Sequence, residues 1–157
     1  MRPCECGGMC EKMQGSLEID DRYVGPLKLE SADYYECSDC KDRIYPLDTE
    51  RVIESEREKI TEEILQVQPL NAFLSAADTA TLLGITRQAL HKNKRIRKGF
   101  IYRTSLGSLA VYLKKSADLC REKGDGRFLL SELGYNQSNK SVSTRRAIET
   151  FYSVHER

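Results

Sequence analysis

The sequence lacks the features of a membrane protein, a secreted scaffold or a familiar hydrolase. No apolar run approaches the roughly 18 residues a membrane-crossing helix needs, which excludes a helical span. Residues Met1 to Cys6 lack the apolar stretch of a secretory signal, so a cytoplasmic location is expected. There is no G-x-x-x-x-G-K-[ST], no G-x-S-x-G and no H-E-x-x-H, which argues against the nucleotide-hydrolysing, serine-hydrolase and metalloprotease classes. Histidine is scarce: His91 and His155 are the only two, both far along the chain from the main cysteine clusters. Neither is placed to serve as the base of a thiol nucleophile or as a ligand of a catalytic zinc. A zinc or thiol enzyme is therefore the least favoured class, and no enzyme activity is expected.

What is present is a chain of 157 residues, the length of one ordinary domain or two small ones. Its 39% hydrophobic share is low and its 31% charged share high, as in small modules with thin cores. The formal net charge of +1 hides a division. Residues 1–66 hold nine Lys/Arg against 17 Asp/Glu, a net of −8, whereas residues 67–157 hold 16 against seven, a net of +9. That asymmetry predicts two modules with different partners, the basic one suited to nucleic acid and the acidic one to a basic protein.

Five of the six cysteines fall in the first 40 residues: Cys4, Cys6 and Cys10, then Cys37 and Cys40. Two tight clusters about thirty residues apart have the layout of a tetrahedral zinc site, each turn supplying two thiolates. Cys37 and Cys40 form a clean C-x2-C. Cys6 is followed by Gly7 and Gly8, small residues that let backbone N–H groups turn towards a thiolate. Its mate is either Cys4, in a C-x-C pair, or Cys10, in a C-x3-C pair. Disulfides are the competing reading, disfavoured without a secretory signal.

Between the clusters, Ser16–Asp20, Leu27–Glu30 and Asp33–Glu36 read as strand pieces, with a turn over Tyr23–Pro26. Residues 1–48 are thus expected to be a small β-rich zinc ribbon, stabilised by one structural Zn2+ because its core is too small to stand alone. Thr49 to Val67 reads as a charged connecting helix ended before Pro69, with Ile53, Ile60, Ile64 and Val67 as a narrow stripe.

Residues 69–124 form the second expected module. Leu74 to Leu83 reads as a helix capped by Ser75; Gly84 is the turn, and Thr86 to Lys92 is a second helix, with Ala80, Ile85 and Leu90 packing between them. This is the helix-turn-helix spacing. A two-helix packing motif without DNA binding is the plainer alternative, but residues 86–103 carry seven Lys/Arg and no acid, whereas a solvated face ordinarily mixes signs. Phe100–Thr104 and Leu109–Leu113 flank a turn at Gly107-Ser108, a hairpin that would make a wing bringing Arg103 and Thr104 near a phosphate backbone. A helix over 105–115 is the alternative. A short helix capped by Ser116 and stopped at Gly124 follows, with Cys120 as a buried thiol. In the tail, 125–157, Val142 to Val154 is expected to be a helix with Ala147, Ile148, Phe151 and Val154 as its apolar face.

The Cys4-x-Cys6-Gly7-Gly8 start and the Cys37-x2-Cys40 that follows a β-rich stretch resemble the YgiT-type zinc finger of MqsA-like antitoxins, over about residues 4–66. The family ordinarily has C-x2-C in the first position. Matching Cys6 to the second cysteine of that pair implies Cys4 as its mate, and so the ligand set Cys4, Cys6, Cys37 and Cys40. Residues 74–115 look instead like the winged helix-turn-helix of MerR and excisionase regulators. Together the resemblances imply a sequence-specific repressor, with an antitoxin that represses its own operon and covers a toxin as the fuller version.

The expected DNA contacts follow from side-chain chemistry. Thr86, Arg87, Gln88, His91 and Lys92 would face a major groove, Arg87 and Gln88 being suited to guanine and adenine edges. Lys94, Arg95, Arg97, Lys98 and Arg103 would hold phosphates. A homodimer on a palindromic double-stranded operator is the expected form for this motif.

Overall fold

From Met9 to Cys37 polar and apolar residues alternate closely enough to build one long hairpin, and the computed structural model, which describes residues 1–134, shows how. Strands β1 (Arg2–Pro3), β2 (Met9–Asp21), β3 (Gly25–Cys37) and β4 (Arg43–Ile44) form an antiparallel sheet in the order β1-β2-β3-β4. The three strand pieces read from the sequence are two continuous strands. Between Leu29 and Ala32 the buried face of β3 shifts phase by one residue, and the pairing register slips at the same place, from Leu17↔Leu29 to Gly15↔Ala32. A bulge absorbs the extra residue and keeps Leu17, Leu27, Leu29, Ala32 and Tyr34 on the buried side.

Asp21 sets the hairpin turn. Its carboxylate accepts the N–H groups of Tyr23 and Val24 at 2.9 and 3.1 Å, and Gly25 takes a φ of 78° that a side chain would resist. Helix α1 (Leu47–Gln66) begins close to the expected position and returns to the hairpin: Thr49 Oγ1 donates to the Asp33 carbonyl at 2.6 Å, and Arg57 Nε to the Asp21 carboxylate at 2.7 Å. Ile53 and Ile64 are buried as the stripe requires, while Val67 lies beyond the helix and is exposed. The contacts divide the chain into two units, 1–60 and 61 onward, and the division falls within α1.

The second unit has its own sheet and core. After a 3-10 turn (Leu70–Ala72) come β5 (Phe73–Ser75), α2 (Ala76–Leu83), α3 (Arg87–Lys92), α4 (Lys94–Arg97), β6 (Arg103–Leu106), β7 (Leu109–Leu113) and α5 (Lys114–Lys123), then a 3-10 turn over Leu130–Leu133. The sheet order is β5-β7-β6, antiparallel throughout. Ala80, Leu90, Ile96, Ile101, Tyr112 and Ala117 form the core, with Ile85 and Leu83 half-buried against it. The fold is therefore mixed α+β: a four-stranded antiparallel sheet, then helices with a small second sheet. Among the described residues no helix is long and apolar enough to cross a membrane.

The connections between α2, α3 and α4 are capped at each step. Ser75 accepts from Asp78 N, and Gly84 closes α2 with a φ of 67°. Thr86 caps α3 by accepting from Ala89 N, and Asn93 ends α3 while capping α4. Several details differ from the sequence reading. Phe100–Tyr102 precede the strand rather than belonging to it. Ser116 does not cap α5; it is buried within that helix, where its hydroxyl accepts from Tyr102 N and donates to the Gly126 carbonyl. Cys120 is half-buried rather than buried. The helix expected over Val142 to Val154 lies outside the described residues.

Candidate functional site

The cysteine cluster is assembled by two turns at one end of the long hairpin. In the first, Gly7 N donates to the Cys4 carbonyl at 3.0 Å and Cys4 N to the Gly8 carbonyl at 2.9 Å, folding residues 4–8 into a tight loop. In the second, Lys41 N donates to the Cys37 carbonyl at 3.2 Å, so that Cys40 comes back beside the end of β3. The four Sγ atoms of Cys4, Cys6, Cys37 and Cys40 lie within 4.8 Å of one another, with Cys4–Cys40 at 3.6 Å and Cys6–Cys37 at 3.5 Å. A zinc–thiolate bond of about 2.3 Å implies sulfurs about 3.8 Å apart on a tetrahedron, so the four residues fit a bound metal ion. Cys10 is buried in the sheet opposite Cys37 and is not one of the four. Of the two mates left open for Cys6, the structure brings in Cys4.

The thiols of the cluster titrate unequally. N–H groups of Cys40 and then Asp39 point at the Cys37 sulfur and lower its pKa to about 6. At Cys40 the N–H of Asp42 also acts downward, but the neighbouring Cys6 and Cys4 sulfurs outweigh it and push the thiol up to about 12. Cys37 thus ionises easily, whereas Cys40 and Cys4 resist, and a bound divalent ion would act against that resistance. Gly8 completes the loop. Its N–H reaches Cys6 Sγ at 3.4 Å, as the small residues after Cys6 suggested. A Cβ there would stand 2.7 Å from an Asp39 carboxylate oxygen and 2.9 Å from Cys37 Sγ, a steric role for Gly8 visible only in three dimensions.

The second candidate surface lies on α3, α4 and β6. Thr86, Arg87, Gln88, His91 and Lys92 are all exposed around α3, and Leu90 alone of that helix turns into the core. On α4, Lys94, Arg95 and Arg97 are exposed on either side of buried Ile96, and Lys98 and Arg103 are exposed beyond it. Among the described residues, none of these seven cations forms an ion pair. The Arg95 guanidinium does lie over the Phe100 ring at 4.5 Å, where Arg127 approaches at 3.9 Å. Thr104, expected to face a phosphate, is instead buried, its hydroxyl donating to Glu62 at 2.6 Å and accepting from Gln66 at 2.8 Å. Asn93, overlooked in the sequence, supplies the double cap that lets α4 follow α3 directly.

No protein-family model, curated protein or solved structure matches the chain.

Proposed function

We propose that the chain is a sequence-specific DNA-binding transcriptional regulator, its second unit a winged helix-turn-helix and its first a zinc ribbon. The observation that carries this reading is the run of exposed, unpaired cations on α3, α4 and β6. From Thr79 to Ala117 the sequence has no carboxylate at all, and such a run of exposed charge of one sign is the electrostatic footprint of a polyanion partner; the carboxylates that approach it, Glu62 at Thr104 and Asp125 near Arg95, come from outside the run. α3 is the recognition helix, with Arg87 and Gln88 reading base edges, aided by Thr86, His91 and Lys92. Lys94, Arg95, Arg97, Lys98 and Arg103 position the duplex through its phosphates, and a homodimer would bind a palindromic site.

The metal we assign to Cys4, Cys6, Cys37 and Cys40 is a single structural Zn2+. Four thiolates close its coordination sphere and leave no position for a substrate, so its contribution is to folding rather than to chemistry. The acidic first unit supports a fuller reading as an antitoxin: Glu11, Glu18, Asp20 and Glu30 are exposed on the strands of its sheet and Glu5 on the turn before β2, a surface suited to a basic toxin and poorly suited to DNA. Titrating the full chain against duplex from its own upstream region, and against random duplex of equal length, tests the regulator reading. The upstream duplex should bind about 10³-fold tighter. Equal, weak binding to both would contradict it.

A further inference from the structure

Of the four clustered sulfurs, two residues stand open to solvent and two are sheltered. Cys6 and Cys40 are exposed, Cys4 is half-buried, and Cys37 is fully buried. Cys6 Sγ lies 3.5 Å from Cys37 Sγ, and Cys40 Sγ lies 3.6 Å from Cys4 Sγ. Each exposed cysteine thus touches a more sheltered one. Both contacts also run from the turn over residues 4–8 to the turn that follows β3, so they bridge the two turns. Metal-bound sulfurs are thiolates, and thiolate character together with exposure decides which cysteines a peroxide attacks.

We propose that Cys6 and Cys40 are sites of oxidation by hydroperoxides, each resolved by its partner in the other turn. The disulfides Cys6–Cys37 and Cys4–Cys40 then take the place of the metal without unfolding the unit. The inference rests on the zinc assignment above and adds a modification site to it. The Cys6 thiolate attacks an oxygen of hydrogen peroxide, the O–O bond breaks, and hydroxide leaves, which gives the sulfenic acid. The Cys37 thiolate attacks the Cys6 sulfur and expels a second hydroxide as the disulfide forms. The two sulfurs together give up two electrons, and one hydrogen peroxide becomes two hydroxide ions. Cys40 and Cys4 repeat the sequence with a second peroxide. Two thiolates cannot close a tetrahedral site, so the first disulfide already releases the ion. Because both disulfides join the same two turns, the oxidised chain keeps the tie that the metal supplied. Cys10 is fully buried in the sheet opposite Cys37 and stays a thiol.

The test titrates hydrogen peroxide into the full, zinc-loaded chain with a chromogenic zinc indicator present. All of the zinc should be released, with two peroxides consumed per chain at completion. Cleavage at acidic residues separates the partners, because Glu5 lies between Cys4 and Cys6 and Asp39 between Cys37 and Cys40. Mass analysis of the fragments should show the two disulfides between turns, with Cys10 unmodified. The oxidised chain should melt at the same temperature with and without a chelator, whereas the reduced chain should melt lower with it. A dithiol reductant plus zinc should restore the starting state, and Cys10→Ser should respond as wild type does. Zinc retained in excess peroxide, disulfides formed within each turn, or a disulfide that includes Cys10 would overturn the proposal alone. A purified chain that holds no zinc would overturn the metal assignment and the proposal with it.

Discussion

Cys6 and Cys37, which stand 31 residues apart in sequence, bring their sulfurs to 3.5 Å, and this approach ties the turn after β1 to the end of β3. Free thiols at that distance form no bond of their own, so a metal shared by the four sulfurs would supply the tie between the two turns and should be part of the fold of this unit. Cys37→Ser should abolish the one zinc per chain and the cooperative unfolding of residues 1–60, whereas Cys10→Ser should keep the zinc. Metal analysis of the purified proteins, together with thermal melts with and without a chelator, separates the two. Equal zinc in both variants would remove Cys37 from the ligand set.

Gly8 offers a finer probe of the same site. With a Cβ in conflict with Asp39 and Cys37, Gly8→Ala must displace one turn or the other. Metal affinity should fall by about 10- to 100-fold, the range seen when groups supporting a metal ligand are disturbed. Competition with a chromogenic chelator measures it, and Gly15→Ala, where a Cβ meets nothing, is the control.

Asp21 should make stability pH-dependent. Its carboxylate is buried, which acts to raise its pKa, but the N–H groups of Tyr23 and Val24 and the Arg57 guanidinium outweigh that and hold it below the ordinary 3.8. A carboxyl depressed in the folded state stabilises above its unfolded pKa, and that contribution fades as the pH falls through the folded value. Wild type should therefore exceed Asp21→Asn in stability at neutral pH, with the gap narrowing below about pH 4. Asp21→Ala, which also strands two N–H donors, should cost about 2–3 kcal/mol in denaturant melts at pH 7.

Tyr112 is fully buried and, among the described residues, its hydroxyl has no hydrogen-bond partner. A buried hydroxyl without a partner costs about 1–3 kcal/mol of desolvation. Tyr112→Phe should consequently be neutral or raise the melting temperature of the second unit. A loss of stability would mean that the hydroxyl is satisfied in solution.

Much of this was legible in the sequence because it depends on short-range signals. Ser75, Gly84 and Thr86 mark helix ends by their own chemistry, and Gly107-Ser108 marks a hairpin in the same way. The C-x2-C of Cys37 and Cys40 pointed to one half of the metal site. What stayed hidden depends on distant partners. Spacing alone left both Cys4 and Cys10 open as the mate of Cys6 and the resemblance chose Cys4; the pairing of Cys10 with Cys37 across the sheet puts Cys10 inside the core and leaves Cys4 in the cluster. Ser116 reads as a cap, but Tyr102 N and the Gly126 carbonyl draw its hydroxyl inward. Thr104 reads as a surface residue until Glu62 accepts its hydrogen bond, and the bulge between Leu29 and Ala32 reads as a break between strands.

The most direct measurement of the central claim is the salt dependence of binding to the upstream duplex for wild type, Lys98→Ala and Arg87→Ala. Five phosphate-holding side chains predict a slope of log K against log salt of about −4 to −5. Lys98→Ala should weaken binding to every sequence and flatten that slope, while Arg87→Ala should chiefly narrow the gap between upstream and random duplex. A wild-type slope near zero, or two mutants that behave alike, would contradict the assignment of α3 to reading and of the following cations to positioning.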